Sequence, residues 1–148
     1  MDRPFRPLDG IRVVEMSHMI MGPSCGLFLA FLGAEVIKVE PPGGDKTRDL
    51  GGMGQAFFPL ANRGKKSVQL DLASDKGREA LHKLLATADV FVENFRDSSL
   101  SRMGANLDEL HEHFPKLIVA SHKGFLHGPY QDRTAMDEVV QMMTGLAY

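Results

Sequence analysis

The sequence predicts an α/β fold with a mainly parallel sheet and helices on both faces. Two observations lead to this prediction. Short runs rich in β-branched residues alternate with segments whose apolar residues recur at helical spacing, and such alternation is typical of parallel strands joined by crossover helices. The chain has 148 residues, of which 43% are hydrophobic, so it is long enough for one domain with its own core.

The first half of the chain supplies two predicted strands with one helix between them. Residues 11–16 (IRVVEM) and 35–40 (EVIKVE) have strand patterns, and residues 24–32 have the pattern of a helix that Gly33 ends. Residues 43–64 are rich in glycine and polar residues. We predict a long ordered loop there, which in a compact domain is usually functional.

The second half repeats the alternation. Three further strands and a short helix are predicted from their apolar patterns, at 67–72, 89–95, 117–121 and 107–114, respectively. Ser74 is a candidate N-cap for a longer helix that ends near Thr87. Thr134 is a candidate N-cap for the last helix, with Asp137 three residues on. This last helix is predicted to bury Val139, Val140, Met143 and Leu146.

Composition and the amino terminus narrow the function class. The net charge is −2, which argues against a nucleic-acid binder, since such domains carry a basic excess on one face. The sequence has neither an apolar run near the ~20 residues that span a bilayer nor a signal-peptide pattern. We therefore expect a cytoplasmic protein with no membrane partner. The single cysteine, Cys25, precludes an internal disulfide.

Ligands of parallel α/β sheets bind beyond the carboxyl ends of the strands. This rule selects four stretches as candidate sites: 17–26, 41–48, 94–104 and 121–134. The first contains HMIMGPSCG and lies where a nucleotide-binding protein places its phosphate loop. It lacks the G-x-G-x-x-G and Walker patterns, so a nicotinamide-dependent oxidoreductase is supported by fold class alone.

The first stretch combines a tight turn with apolar side chains. Gly22 tolerates a positive φ and Pro23 presets the φ of a helix start, and the N–H groups of that helix start favour an anion. Met19, Ile20 and Met21 are apolar in a loop that should be exposed. Together these features suit a ligand that is part phosphate and part apolar. The alternative is a turn selected for its geometry alone.

Each of the other three stretches allows two interpretations. Asp45 and Arg48 are expected to form an ion pair that closes a surface turn. Arg102, two residues before Gly104, suits a phosphate contact, although a solvated arginine is the commoner outcome. Lys123 and His122 can face a ligand, but for the histidine we favour a hydrogen bond to the backbone at a strand end.

Three further groups are weak candidates. The imidazoles of His111 and His113 diverge on a helix and lack the spacing of a zinc site, so we expect no metal. Cys25 lies near a helix N-terminus, where a thiolate is favoured, but a small packed side chain is the preferred interpretation. The basic residues within 62–66 (NRGKK) either meet a phosphate or are solvated.

Several short segments then follow one another along the chain. They are LxGIRVVE at 8–15, GPSC at 22–25, LGAEVIKVEPPGGD at 32–45 followed by Arg48, NRGKKSVQLDL at 62–72, ADVFVENFR at 88–96, RMG at 102–104, KGF at 123–125, GPY at 128–130 and Gly145-Leu146. In this order they resemble the amino-terminal part of the family III CoA-transferases, the group that includes formyl-CoA transferase, the carnitine CoA-transferases and α-methylacyl-CoA racemase. The resemblance covers nearly the whole chain.

The resemblance implies coenzyme A or an acyl-CoA as substrate and no tightly bound cofactor. Family members bind CoA along the strand ends of a Rossmann-like domain. Carried over by position, the residues that contact CoA are Met19, Ile20, Met21, Gly22, Leu70, Arg102, Lys123 and Thr134. Basic residues of relatives are replaced here by Pro41, Ala73 and Thr134, which implies fewer or redistributed CoA contacts.

The same resemblance implies transfer of CoA from a thioester to a small carboxylic acid through an aspartyl-acyl anhydride. In the family the nucleophilic aspartate follows the helix that here reaches Tyr148. We therefore expect no catalytic residue in this chain and no thioester transfer by the chain alone. Where the racemase branch has its catalytic histidine the chain has Met136, which disfavours racemisation.

Chain organisation also follows from the resemblance. Residues 1–148 are interpreted as the amino-terminal part of the large CoA-binding domain, with the small domain and the carboxyl-terminal segment absent, so we expect an incomplete fold. Relatives are interlocked homodimers, and we therefore expect exposed apolar surface that is prone to associate. A binding or regulatory module without catalysis is the alternative from another class of function.

Overall fold

The computed structural model describes residues 6–146 and confirms the predicted α/β class. Within this range five strands form one parallel sheet in the order β3-β2-β1-β4-β5. The strands are β1 (Arg12–Met16), β2 (Glu35–Glu40), β3 (Lys66–Gln69), β4 (Val90–Glu93) and β5 (Ile118–Ser121). This order places β1 at the centre, with the chain winding outward first to one side and then to the other.

Helices connect the strands and cover both faces of the sheet. They are α1 (Met21–Phe31), α2 (Phe57–Ala61), α3 (Asp75–Leu85), α4 (Asp97–Arg102), α5 (Leu107–His113) and α6 (Asp137–Met143). Ser74 caps α3 as predicted, because its side chain accepts a hydrogen bond from the Gly77 N–H. No helix within residues 6–146 is both long enough and apolar enough to cross a bilayer.

Two apolar clusters pack on opposite faces of the sheet. One contains the buried residues Val14, Met16, Val39, Leu81, Leu85, Phe91, Leu100, Ala105, Leu110 and Leu117. The other contains Val13, Ala34, Val36 and Val92, against which Leu29 and Ala30 of α1 pack. Neighbouring strand residues alternate between these clusters because side chains of a strand point to opposite faces in turn.

The start of α1 differs from the prediction. The helix begins at Met21 rather than Ser24, so Gly22 and Pro23 form its first turn instead of a preceding loop. Proline is tolerated there because the first N–H groups of a helix have no intrahelical partner. The helix therefore starts a few residues after the carboxyl end of β1.

Two predicted loops contain helical segments. Residues 43–64 include 3-10 turns at Lys46–Asp49 and Gly52–Ala56, followed by α2. The stretch 94–104 includes α4. Each of these helical segments has only 4 to 6 residues, which is too short for apolar periodicity to predict a helix.

The last helix is also shorter and less buried than predicted. Its N-cap position is Met136 rather than Thr134, and no side-chain cap is formed. Val139, Met143 and Leu146 are 38%, 46% and 80% exposed, so their predicted burial is wrong. A helical apolar stripe is buried only where another element covers it, and within residues 6–146 little packs on this one.

Candidate functional site

The candidate site is the crevice between the carboxyl ends of β1 and β4. The strand order reverses at this point, with β2 on one side of the pair and β5 on the other. In open parallel sheets, ligands bind where the order reverses. The crevice is bordered by residues 17–20, which follow β1, and by 94–96, which follow β4.

The side-chain amide of Asn94 bridges this crevice. Its Oδ1 accepts from the His18 N–H at 3.0 Å, and its Nδ2 donates to the His18 carbonyl at 2.9 Å. The His18 ring packs on Phe95, with the ring centroids 5.0 Å apart. Burial lowers the pKa of His18, and the nearby Asp45 carboxylate only partly opposes this effect. The imidazole is therefore neutral at neutral pH.

The rim of the crevice is apolar and adjoins the amino end of α1. Met19, Ile20 and Met21 are 44%, 45% and 53% exposed, as the sequence led us to expect. The first turn of α1 contains no acidic residue and no side-chain cap. Its N–H groups and the positive end of the helix dipole therefore favour an anionic ligand beside the apolar rim.

Gly22 is buried at the turn into α1. A Cβ at this position would lie 2.5 Å from the Ser17 Cβ and 3.3 Å from the Asn94 Cγ. No side chain has space there. The close approach of the helix start to both strand ends thus requires glycine.

Four buried charges lie under the rim. The Lys38 Nζ is 3.3 Å from Glu15 Oε1 and 3.1 Å from Asp45 Oδ2, and the Lys65 Nζ is 2.6 Å from Glu15 Oε2. All four side chains are at most 6% exposed. Burial of Asp45 raises its pKa, but hydrogen bonds from Thr47 and the Lys38 charge outweigh this and lower it. Two carboxylates and two ammonium groups thus form a neutral set.

Arg48 forms its ion pair with Glu40, so the predicted Asp45–Arg48 pair is wrong. The guanidinium donates from Nε and Nη2 to the two Glu40 oxygens at 2.8 and 2.7 Å. Its planar fork matches a carboxylate in two places, and it also stacks on Phe58 at 3.8 Å. Asp45 pairs with Lys38 instead, because its carboxylate is turned inward and is only 6% exposed.

Lys123 is held by acidic residues at the other side of the crevice. Its Nζ lies 3.0 Å from Glu93 Oε1 and 2.9 Å from Asp97 Oδ1, and it also donates to the Phe95 carbonyl. The His122 N–H donates to the Glu93 carbonyl at 2.9 Å, and a ring nitrogen lies 3.3 Å from the same oxygen. The preferred backbone role for His122 is therefore confirmed.

The remaining predicted ligand residues are more widely spaced. Leu70 is half-buried directly after β3, where its N–H donates to the Glu40 carbonyl. Arg102 is exposed at the end of α4 and donates to Ser99 Oγ at 3.2 Å, and Thr134 is exposed ahead of α6. No hydrogen bond among residues 6–146 joins these three to residues 19–22.

Several weaker sequence candidates have structural roles. Lys65 is a buried partner of Glu15, and Lys66 pairs with Glu35, so neither is simply solvated. Burial raises the pKa of Cys25, and the Glu15 charge adds to this, which opposes a thiolate. Among residues 6–146, no group of three or more His, Cys, Asp or Glu side chains is placed to hold a metal ion.

Sequence reasoning missed the residues that support the rim, namely Glu15, Lys38, Thr47 and Asn94. A signal for two of them is visible in retrospect. Glu15 and Lys38 interrupt apolar runs of central strands, and the register of β1 and β2 places them side by side. Charged residues in such strands are uncommon unless they are paired.

Together these features define a doubly wound α/β protein whose candidate ligand crevice has an apolar rim and an uncapped helix start. The family model of CoA-transferase family III matches residues 8–148. The chain therefore belongs to this family, and the assignment made from the sequence is confirmed.

Named relatives agree with this membership. The chain is 44% identical over 147 residues to a formyl-CoA:oxalate CoA-transferase of Rhodopseudomonas palustris (strain BisA53), and 41% identical over 144 residues to a Streptomyces avermitilis protein of the same name. These alignments cover 96% and 95% of this chain but 35% of each relative. The chain thus spans about a third of the length of these curated relatives.

Solved structures show the same fold. A CAIB/BAIF family protein from Brucella suis is 42% identical with a TM-score of 0.88, and the match covers 96% of this chain and 40% of that one. A hypothetical protein from Mycobacterium tuberculosis is 39% identical with a TM-score of 0.91, over 97% of this chain and 41% of that one. The fold class is therefore shown both by the strand order and by these matches.

Proposed function

We propose that this chain forms the coenzyme A-binding part of a CoA-transferase, which moves CoA from an acyl-CoA thioester to a small carboxylic acid. Family membership supports the reaction class. The observation that carries the ligand assignment is the exposed apolar segment 19–21 beside the uncapped start of α1, at the switch point of the sheet. CoA has apolar and phosphate parts, which suit these two neighbouring surfaces.

We carry the contacts over by position from the family resemblance. Met19, Ile20 and Met21 pack on the apolar parts of CoA, Leu70 contacts the adenine side, and the exposed Arg102 guanidinium binds a phosphate. Gly22 contributes indirectly, because the absence of a side chain lets the start of α1 lie close to Ser17 and Asn94 at the crevice.

Two further residues make weaker contacts in this proposal. Lys123 contributes less than a free lysine, because Glu93 and Asp97 already neutralise its charge. Thr134 offers a neutral hydroxyl where relatives have a basic residue.

The chemistry that we propose is covalent exchange on an aspartate. The carboxylate attacks the thioester carbonyl, the C–S bond breaks, and CoA leaves as a thiolate from an enzyme-acyl anhydride. The acceptor carboxylate then attacks the aspartyl carbonyl of the anhydride and expels the donor carboxylate. The thiolate finally attacks the acceptor's carbonyl, which yields the new acyl-CoA and releases the aspartate. We place no catalytic residue within 1–148, since Asp137 in α6 does not match the family's nucleophile. An interlocked, cytoplasmic homodimer is part of the same proposal.

Calorimetric titration tests the ligand assignment. We expect saturable binding of CoA at millimolar ligand and no binding of NADH. Ile20→Glu should weaken CoA binding by about ten-fold or more, because it places a carboxylate beside the phosphate-binding helix start. Ile118→Glu is the matched control, since Ile118 is 64% exposed on the edge strand β5. The absence of CoA binding at millimolar ligand would contradict the ligand assignment.

A thioester-exchange assay tests the chemical half. The purified chain should not transfer CoA from an acyl-CoA to oxalate or another small acid. Measurable exchange would show that a catalytic nucleophile lies within residues 1–148. Binding of CoA without exchange would support the ligand assignment. It would also be compatible with a binding module that has no catalytic activity.

A further inference from the structure

The loop after β1 is held by side chains from outside the loop. The Ser17 carbonyl accepts from Lys38 Nζ at 2.6 Å, and the Met19 N–H donates to Thr47 Oγ1 at 3.2 Å. The side-chain amide of Asn94 holds His18, the residue between them. Three successive residues of the crevice rim are thus fixed through their backbone groups.

Two of these anchors belong to one buried polar path. The Thr47 hydroxyl donates to Asp45 Oδ1 at 2.8 Å, and Asp45 Oδ2 lies 3.1 Å from Lys38 Nζ. Lys38 then returns to the Ser17 carbonyl. The three side chains that form the path are buried. They connect the first residue of the loop to the third through the 3-10 turn that follows β2.

Met19, at the end of this path, has a φ of +62°. Residues with a side chain rarely adopt this left-handed conformation. Such a conformation persists only where the surroundings hold it, and it is often found at ligand sites. The neighbouring Ile20 and Met21 take their positions from the same turn.

We propose that Thr47, with Asp45 and Lys38 behind it, is a positioning residue that holds residues 17–20 in the conformation that binds CoA. The inference rests on the proposed function of the crevice. Thr47 acts through the Met19 backbone. Without its hydroxyl, Met19 is free to return to a negative φ, and the apolar rim then moves relative to the start of α1. Binding must then reorder the loop, which lowers the apparent affinity.

Three substitutions test this role. Thr47→Val keeps the shape and removes the hydroxyl, which loses both the hydrogen bond from the Met19 N–H and the one to Asp45. The Kd for CoA should rise about five-fold or more, since loss of the bond to the loop alone accounts for this factor. Thr47→Ser retains the hydroxyl and should restore the wild-type Kd. Thr87→Val is the control: its hydroxyl also forms a hydrogen bond with the backbone, in this case by donating to the Leu84 carbonyl at 2.8 Å. Thr87 precedes β4 and so lies on the side of the sheet where the strands begin, away from the crevice. That variant should leave the Kd unchanged.

Amide hydrogen exchange measured by NMR gives a second readout. In Thr47→Val the Met19 amide should exchange about five-fold faster, while the amides of Val13 and Val14 in β1 should keep their protection. An equal acceleration at β1 would overturn the inference, because the hydroxyl would then support the whole fold. Unchanged CoA affinity in Thr47→Val would overturn it as well. If the wild-type chain bound no CoA, the proposed function would fail, and Met19 exchange would still decide whether Thr47 holds the loop.

Discussion

Gly26 lies in α1 against the buried carboxylate of Glu15. An added Cβ would overlap Glu15 Oε2 and lie 3.1 Å from Lys65 Nζ. The carboxylate has little freedom to move, because Lys38 and Lys65 hold its two oxygens. The absence of a side chain at position 26 is thus a condition for packing α1 on the charged part of the sheet.

This contact predicts an unusual effect of alanine in a helix. Gly26→Ala should lower the free energy of unfolding by about 2 kcal/mol or more, although alanine favours helices by about 1 kcal/mol over glycine. Gly51→Ala is the control, because nothing lies within 4 Å of the added Cβ and the φ is −73°. Urea unfolding of both variants measures the difference. Equal stabilities would contradict the packing described here.

Glu40 links the 45–48 turn to the sheet and should make stability depend on pH. Burial raises its pKa, but hydrogen bonds from Arg48, Ser67 and the Asp45 N–H outweigh burial and lower the pKa from 4.5 to about 2. A carboxyl group whose pKa is lower in the folded state stabilises the fold above its unfolded pKa. That stability is lost as pH falls from about 4.5 towards 2.

Glu40→Gln should therefore cost about 1–3 kcal/mol at pH 7 and flatten the pH dependence of unfolding in this window. Urea titrations at several pH values between 7 and 2 measure it. The control is Glu79→Gln, which alters an exposed carboxylate paired with Lys83 on α3. A Glu40→Gln profile as steep as that of the wild type would show that other carboxylates dominate acid unfolding.

The partners of the buried charged residues could not be predicted from the sequence. Apolar patterns show that β1 and β2 are buried, but they do not show that Glu15 and Lys38 neutralise each other, since the strand register is not visible in either run alone. Asp45 is a similar case. Its nearest opposite charge in the sequence is Lys46 or Arg48, yet it pairs with Lys38 because β2 brings that residue under the turn.

At the scale of elements, α1 has an outward face that the described part of the chain does not cover. The helix contains no charged residue, and Phe28 and Phe31 are 65% and 61% exposed. Exposed apolar groups of this size on a protein surface favour association. Exposure of apolar surface was expected from the family resemblance, and Phe28 and Phe31 of α1 contribute to that surface.

We expect the chain to self-associate with rising concentration and the double variant Phe28→Glu/Phe31→Glu to remain monomeric. The variant should unfold at nearly the same denaturant concentration as the wild type, because both side chains are already mostly exposed. Light scattering after size-exclusion chromatography measures the mass. Leu126→Glu/Leu146→Glu is the matched control, since those leucines are 84% and 80% exposed but lie outside α1. Association that survives in the α1 variant would place the contact elsewhere.

Elements with strong periodicity were predictable, and short polar ones were not. All five strands lie within a few residues of their predicted bounds, because the buried central strands have apolar runs and an edge strand such as β3 alternates apolar and polar residues. The region 43–64 was predicted only as a loop, since its order depends on contacts with residues outside it, such as Thr47 with Met19 and Asp45 with Lys38. For α6 the predicted helix is confirmed, but its burial is not, because periodicity shows an apolar stripe and not what covers it.

For the whole molecule, parallel βαβ alternation predicts the class but not the order β3-β2-β1-β4-β5. The order decides which strand ends face each other, and so it decides which loops share a site. The sequence located residues 19–22 beyond β1, and the structure places them at the switch point. It also brings Lys123 to the residues that follow β4. The support from Thr47 and Asn94 was not predictable. Each contact joins residues more than 25 positions apart in the sequence, so it depends on how the strands are arranged.

The neutral set formed by Glu15, Lys38, Asp45 and Lys65 has a consequence for transplanting this crevice into another protein. Moving only the rim segment HMIMG onto a foreign sheet would leave its backbone without anchors. Moving a single one of the charged residues with it would bury an uncompensated charge, which in a protein interior is strongly destabilising. The smallest portable unit is therefore scattered along the chain: the end of β1, the middle of β2, the turn after it and the residue before β3, together with Thr47 and Asn94. A designer would have to carry all these positions together, because Lys38, Thr47 and Asn94 hold the backbone of residues 17–19.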